Sequence, residues 1–255
     1  MTAPSASEHP DDARAAASPA MRDSAAPPEL SRAGDRPAPV EFTAGGSSDI
    51  DANREAQPHN DQDDALVLVA DDLTVAGRTF SVIGRRGGLE LFAVDDGPGA
   101  GEVVLALGGR YRPAAGTVRF QGRVATPAQL RDRVAVAQVV GAVEPVMQTR
   151  VAEHLDLCAA LGGHRDSARS ARIWGTVGLT AEIARRRLDE LSPGDMVRVA
   201  VAGALLARPA VVVADRIDRG VAQQDWPGLV ADLRAAADTT GVAILASSSR
   251  PAAEV

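Results

Sequence analysis

The stretch Asp96-Gly97-Pro98-Gly99-Ala100-Gly101-Glu102-Val103-Val104-Leu105 sets three glycines, Gly97, Gly99 and Gly101, between a strand-like run and an apolar, helix-like one. The chemistry open to that layout is anion binding. Backbone N–H groups freed by glycine turns, and the positive end of a helix dipole, both favour a phosphate. Glycine-rich turns also occur without any ligand, so the loop alone leaves both readings open. Asp215 closes the run AVVVAD, and Gln138 closes VAVAQ. A carboxylate at the tip of a buried strand can hold the water shell of Mg²⁺. An amide there can reach a metal or a water. The alternatives are a polar strand end and a turn hydrogen bond. In LSPGD (191–195), Ser192 and Gly194 precede a long apolar run, where Ser192 can cap a helix.

Elements of both periods must position these residues. ALVLVADDLTV (65–75) and LELFAV (89–94) are short, β-branched runs typical of strands. GTVRFQGRV alternates after the turn signal Pro113-Ala114-Ala115-Gly116, and RVAVAQ is a further strand. Helices are expected at about 150–161, 167–177 and 194–207; the last is apolar all round, as a buried helix is. AVVVAD and GVAILAS read as strands buried on both faces of a parallel sheet, with a helix at LVADLRAAAD between them. The order implies an α/β fold with an antiparallel β portion, a core sheet and a helical insert at about 140–190.

Composition sets limits on the rest. Only 3% of residues are aromatic, so Val, Leu, Ile and Ala must build the core. The single cysteine, Cys158, excludes an internal disulfide and a cysteine-rich metal site, and fits a reducing compartment. No run approaches the roughly 20 apolar residues of a membrane span, and the first residues lack the pattern of a secretory signal. Residues 1–64 hold 13 acidic and 5 basic residues, a net of −8, which leaves +1 of the chain's −7 for the remainder. Segment 1–63 also carries 8 of the 16 prolines and is expected to be a disordered acidic tail ahead of a domain at 64–255. The near-neutral remainder gives no reason to expect nucleic acid as a partner. All 27 basic residues are arginine.

The succession of parts resembles the ATP-binding subunit of ABC transporters over about 66–250. ELSPGDMVRVAVAGALLARPAVVVAD carries the likeness most specifically: it is similar to that family's signature motif, following helix and Walker B strand. RDRVAVAQ resembles the strand leading to the Q-loop, and YRPAAGTVRFQG the strand and turn after the Walker A helix. The resemblance implies a P-loop cassette fold with a mixed core sheet, and ATP and Mg²⁺ as cofactors. It implies nucleotide-binding roles for Gly97, Gly99, Gly101, Gln138, Ser192, Gly194 and Asp215, with Asp215 and Gln138 as a vestigial Mg²⁺ seat. It also implies a second ATP-binding subunit, identical or different, and a membrane permease as partners. The location implied is cytoplasmic, on the inner face of the cell membrane.

Departures from the pattern fall on the chemistry. Where the Walker A loop ends in lysine and a hydroxyl residue, this chain has Glu102 and Val103. At about 4 Å and an effective dielectric of about 20, a unit charge pair is worth roughly 4 kcal/mol, so an acid in place of lysine turns attraction into repulsion. No realignment helps, because the chain contains no lysine. The catalytic glutamate is replaced by Arg216, and a cation cannot act as general base. The histidine after the last strand corresponds to Ser248, the D-loop aspartate to Ala222 and the adenine-stacking ring to Ala76. Pro193 and Asp195 depart from the signature. The expectation is a degenerate cassette that does not hydrolyse ATP alone, acting beside an active partner or as an inert anchor. The alternative is a cytoplasmic scaffold or regulator on the same fold. A dinucleotide-binding reading lacks its acidic residue about 20 positions on.

Overall fold

An uninterrupted apolar strand needs cover on both sides, and the strand Val211–Ala214 receives it. Val211 and Val213 face one core while Val212 and Ala214 face a second. The computed structural model describes residues 65–93, 99–142, 145–163 and 166–250. The expected acidic tail, 1–63, lies outside the described residues, as does Gly97.

The strands are β1 (Leu66–Val75), β2 (Arg78–Arg85), β3 (Leu89–Ala93), β4 (Ala115–Phe120), β5 (Arg123–Val124), β6 (Val134–Gln138), β7 (Val211–Ala214) and β8 (Ala243–Ser248). The helices are α1 (Ala100–Leu107), α2 (Pro127–Arg133), α3 (Val151–Leu161), α4 (Ser167–Thr176), α5 (Ala181–Arg185), α6 (Pro193–Leu206) and α7 (Trp226–Thr240). Parallel and antiparallel strands are partitioned between two sheets. One, ordered β2-β1-β4-β5, is antiparallel; the other, β3-β8-β7-β6, is parallel throughout. The run GTVRFQGRV divides into β4 and β5 because Gln121 and Gly122 both take positive φ, 48° and 75°, and turn the chain.

The first core lies where β1 and β4 meet α1, α2 and one face of the parallel sheet; it includes Leu68, Leu73, Val104, Leu107 and Leu245. The second gathers α3, α4, α6 and α7 on the opposite face, around Leu155, Leu205, Leu229 and Leu233. Helix α3 lies close against α6 at Gly203, where an added Cβ would stand 3.1 Å from Cys158 Sγ and 3.8 Å from Leu155 Cδ2. Leu155 is fully buried there. Leu155→Ala should therefore lower the unfolding free energy by about 2–5 kcal/mol, read from urea denaturation.

Candidate functional site

Alternation along β7 and β8 decides what meets at their C-terminal tips. Continued past Val213, it puts Asp215 on the α1 side of the sheet. Continued past Ala243 and Leu245, it puts Ser247 on that same side and Ser248 on the other. Asp215 and Ser247 are both wholly buried. The Ser247 hydroxyl donates to Asp215 Oδ1 at 2.9 Å. Asp215 Oδ2 accepts from the Val140 N–H and from Arg216 Nε, each at 3.3 Å. Ser248 turns away and engages the backbone of Arg250, accepting from its N–H and donating to its carbonyl, both at 2.9 Å.

Gln138 sits at the same corner, at the end of β6. Its side-chain N–H donates to the Asp215 carbonyl at 2.9 Å, and the Asp215 N–H returns a bond to the Gln138 carbonyl at 3.1 Å. The two strand ends are thus clamped together, with the Gln138 amide nitrogen spent on the backbone. Arg216 holds a left-handed conformation, φ 43°, with its N–H donating to Ser247 Oγ at 2.7 Å. That conformation costs a non-glycine residue roughly 1–2 kcal/mol, and the contacts to Asp215 and Ser247 offset it.

The glycine loop reaches this corner from the other side. Gly99 has φ 99°, and any Cβ there would lie 2.6 Å from the Ala76 Cβ. The loop therefore leans on the β1–β2 turn at the residue that the family resemblance aligned with an adenine-stacking ring. Gly101 approaches Asp215 so closely that an added Cβ would stand 3.6 Å from Oδ2 and 2.7 Å from Val139 Cγ1. Val103 is 1% exposed and belongs to the first core with Val139, Val211 and Val213. Glu102, half-buried, lies in the first turn of α1.

Ser192 and Gly194 start α6. The Asp195 N–H donates to Ser192 Oγ at 3.1 Å, and the Ser192 hydroxyl donates to Asp195 Oδ2 at 2.8 Å. Asp195 also pairs with Arg198 at 3.2 Å, and Arg198 reaches Asp232 of α7 at 2.7 Å. The signature residues are held by their own helix and by α7. Among the described residues, no hydrogen bond joins them to Asp215 or to α1. Ala222 follows a turn in which the Val221 N–H bonds the Asp218 carbonyl.

Mg²⁺ needs open oxygen ligands and keeps several waters. Here Arg216 and the Val140 N–H already hold Asp215 Oδ2, Ser247 holds Oδ1, and Val103 offers no oxygen. With a guanidinium on Oδ2 and no hydroxyl at Val103, the residues present do not fit the metal expected at Asp215 and Gln138.

A second feature lies beside this corner. A cleft of about 750 Å³ runs between the edge strand β6 and helices α3 and α6, with Val139, Val140, Met147, Leu161, Met196 and Ala204 in its walls. Exposed apolar side chains gather around it: Leu161 is 80% exposed and Val146 69%. His154 and Cys158 also line it, with Sγ 3.7 Å from His154 Nε2. Burial lowers the His154 pKa and raises that of Cys158, so both are held neutral.

Sequence reasoning placed Asp215, Gln138 and the glycines together and missed three things. It did not foresee the Ser247 contact to Asp215, which only the register of β7 and β8 brings about. Nor did it foresee Arg198 joining α6 to α7, or the apolar cleft, whose exposed residues Val146 and Leu161 come from the segment before α3 and from its last turn.

A parallel sheet with a glycine loop and helix α1 at its C-terminal edge, a helical layer on one face and an antiparallel sheet on the other is the architecture of an ABC-type P-loop cassette. Residues 96–217 match the family model described as "ABC transporter". The chain carries an ATP-binding domain of the ABC transporter family. It is 34% identical over 170 residues, 67% of its length, to an uncharacterized ABC transporter ATP-binding protein of Mycobacterium tuberculosis, found alike in two strains. The match spans 22% of those relatives' length. Among solved structures, a putative ABC transporter ATP-binding protein of Pyrococcus furiosus superposes with a TM-score of 0.58 at 17% identity, over 73% of this chain and 93% of that one. A cbiO1 structure from Clostridium perfringens, part of the ABC transporter complex cbiONQ, gives 0.56 at 15% identity, covering 73% and 79%. Among the described residues no helix is long and apolar enough to cross a membrane.

Proposed function

We propose that this chain is a hydrolysis-incompetent ATP-binding-cassette subunit that works with a second cassette and a membrane permease. The observation that carries this reading is the committed state of Asp215. Its carboxylate, which the family chemistry needs open toward hydrated Mg²⁺, is satisfied by Ser247, Val140 and Arg216. Glu102 opposes phosphate and Val103 serves the core. Gly99, Gly101 and α1 persist as scaffold, and Gly97 completes the loop in sequence. ATP and Mg²⁺, the family's cofactors, then belong chiefly to the partner cassette. Ser192 and Gly194 are the residues this chain would lend to it.

The apolar cleft between β6, α3 and α6 is the natural seat for the permease. One of the fold neighbours is itself part of a transporter complex. Such a subunit would sit at the cytoplasmic face of the membrane without crossing it. Co-purification from membranes with a co-expressed permease tests the arrangement. Leu161→Arg, at a side chain 80% exposed and thus neutral for folding, should reduce recovery with membranes at least tenfold. A stable complex without any permease, unaffected by Leu161→Arg, would instead favour a cytoplasmic scaffold or regulator.

A further inference from the structure

The corner around Asp215 contains a cation of its own. We infer that the Arg216 guanidinium is the resident counter-ion of Asp215, replacing the divalent metal and holding the start of the apolar cleft in one nucleotide-independent conformation. The inference rests on the degenerate-site reading and extends it from loss of a function to a definite substitute.

A carboxylate with no solvent exposure must be paired and hydrogen-bonded to stay charged. Arg216 supplies the charge through Nε at 3.3 Å. Ser247 and the Val140 N–H supply the remaining bonds, at 2.9 and 3.3 Å. A metal in that position would compete with the guanidinium for Oδ2 and gain no further ligand from Val103. The left-handed conformation of Arg216, fixed by its N–H on Ser247 Oγ, is part of the same arrangement.

The bond from Val140 carries the consequence outward. Val139 and Val140 line the apolar cleft, and Val139 also touches Gly101 at the head of α1. With Asp215 held by Arg216, the segment after β6 has its anchor whether or not metal or nucleotide is present. The chain is thereby fixed in a docking-competent form. Arg216 is a positioning residue for the cleft, acting through Asp215.

Nucleotide-free full-length protein tests this, with Mn²⁺ as the probe. Thermal unfolding and hydrogen exchange at the Val140 amide are read in EDTA and in millimolar Mn²⁺. Wild-type protein should give the same melting temperature and the same Val140 protection in both. Arg216→Asn, which tolerates the left-handed backbone, should speed Val140 exchange about tenfold or more in EDTA, as loss of a charged hydrogen bond does, and Mn²⁺ should restore it. Arg216→Lys, which keeps the charge, should stay protected and indifferent to Mn²⁺. Wild-type protein stabilised by Mn²⁺, or unchanged Val140 exchange in Arg216→Asn, overturns the inference. Should Arg216→Asn not fold in EDTA, the wild-type and Arg216→Lys responses to Mn²⁺ still decide. Turnover of Mg²⁺-ATP by wild-type protein sinks the degenerate-site reading; Mn²⁺ binding without turnover sinks this inference alone.

Discussion

Phosphate release from Mg²⁺-ATP by the purified chain is expected to stay at the level of a protein-free control, and titration calorimetry is expected to show no micromolar ATP affinity. Three separate losses combine. Glu102 in place of a lysine changes a contribution of roughly 4 kcal/mol from attraction to repulsion, and a few kcal/mol is already about a hundredfold in affinity. Arg216 in place of a carboxylate removes general-base help, commonly worth about 10²–10⁴ in rate. The Asp215 carboxylate, already holding Ser247, Val140 and Arg216, would meet a hydrated metal with a guanidinium on Oδ2. Because the losses act on binding, metal and base separately, Arg216→Glu alone should leave release at background: Glu102 and Val103 remain. Micromolar affinity in calorimetry, or turnover that disappears in Asp215→Ala, is the outcome that contradicts this account.

How far the sequence spoke depended on which force fixed each feature. The apolar run at 211–214 could only be a strand covered on both faces, and β7 is one, dividing its side chains between two cores. Ser192 ahead of Pro193 marked a helix start, and its hydroxyl does accept from the Asp195 N–H. Both follow from local chemistry. Asp215 was legible as a polar tip, but its environment was not. Ser247 and Val140 come from residues 32 and 75 positions away, and only the register of β6, β7 and β8 brings them in. The alternation that selects Ser247 over Ser248 needs the facing cores to be known. Arg198 bridging Asp195 and Asp232 likewise depends on how α6 meets α7, which no local pattern states. Arg216 was read as a missing base; its role as a partner required the distance.

Asp215→Ala should unfold far more easily than wild type, and this separates a structural hub from an inert relic. The substitution removes the acceptor for the Ser247 hydroxyl, the Val140 N–H and the Arg216 Nε together. Leaving a buried donor without its acceptor costs about 1–3 kcal/mol; Ser247 and Val140 both lose theirs, while Arg216, 21% exposed, can turn to water. At roughly 2–4 °C per kcal/mol for a domain of this size, the melting temperature should fall by about 10 °C. Asp215→Asn should fall too, though less. Its oxygen can still accept from Ser247, but its amide N–H groups then face the Val140 N–H and Arg216 as donors against donors. Ser192→Ala serves as the comparison, since loss of an N-cap costs about 1 kcal/mol. In a cassette whose Walker B aspartate waits for Mg²⁺, deleting the carboxylate relieves an uncompensated charge and need not destabilise the apo fold. Here the carboxylate is already balanced inside the protein, so the same deletion acts on folding first. An Asp215→Ala variant as stable as Ser192→Ala in urea denaturation would show that the corner is not held together in this way.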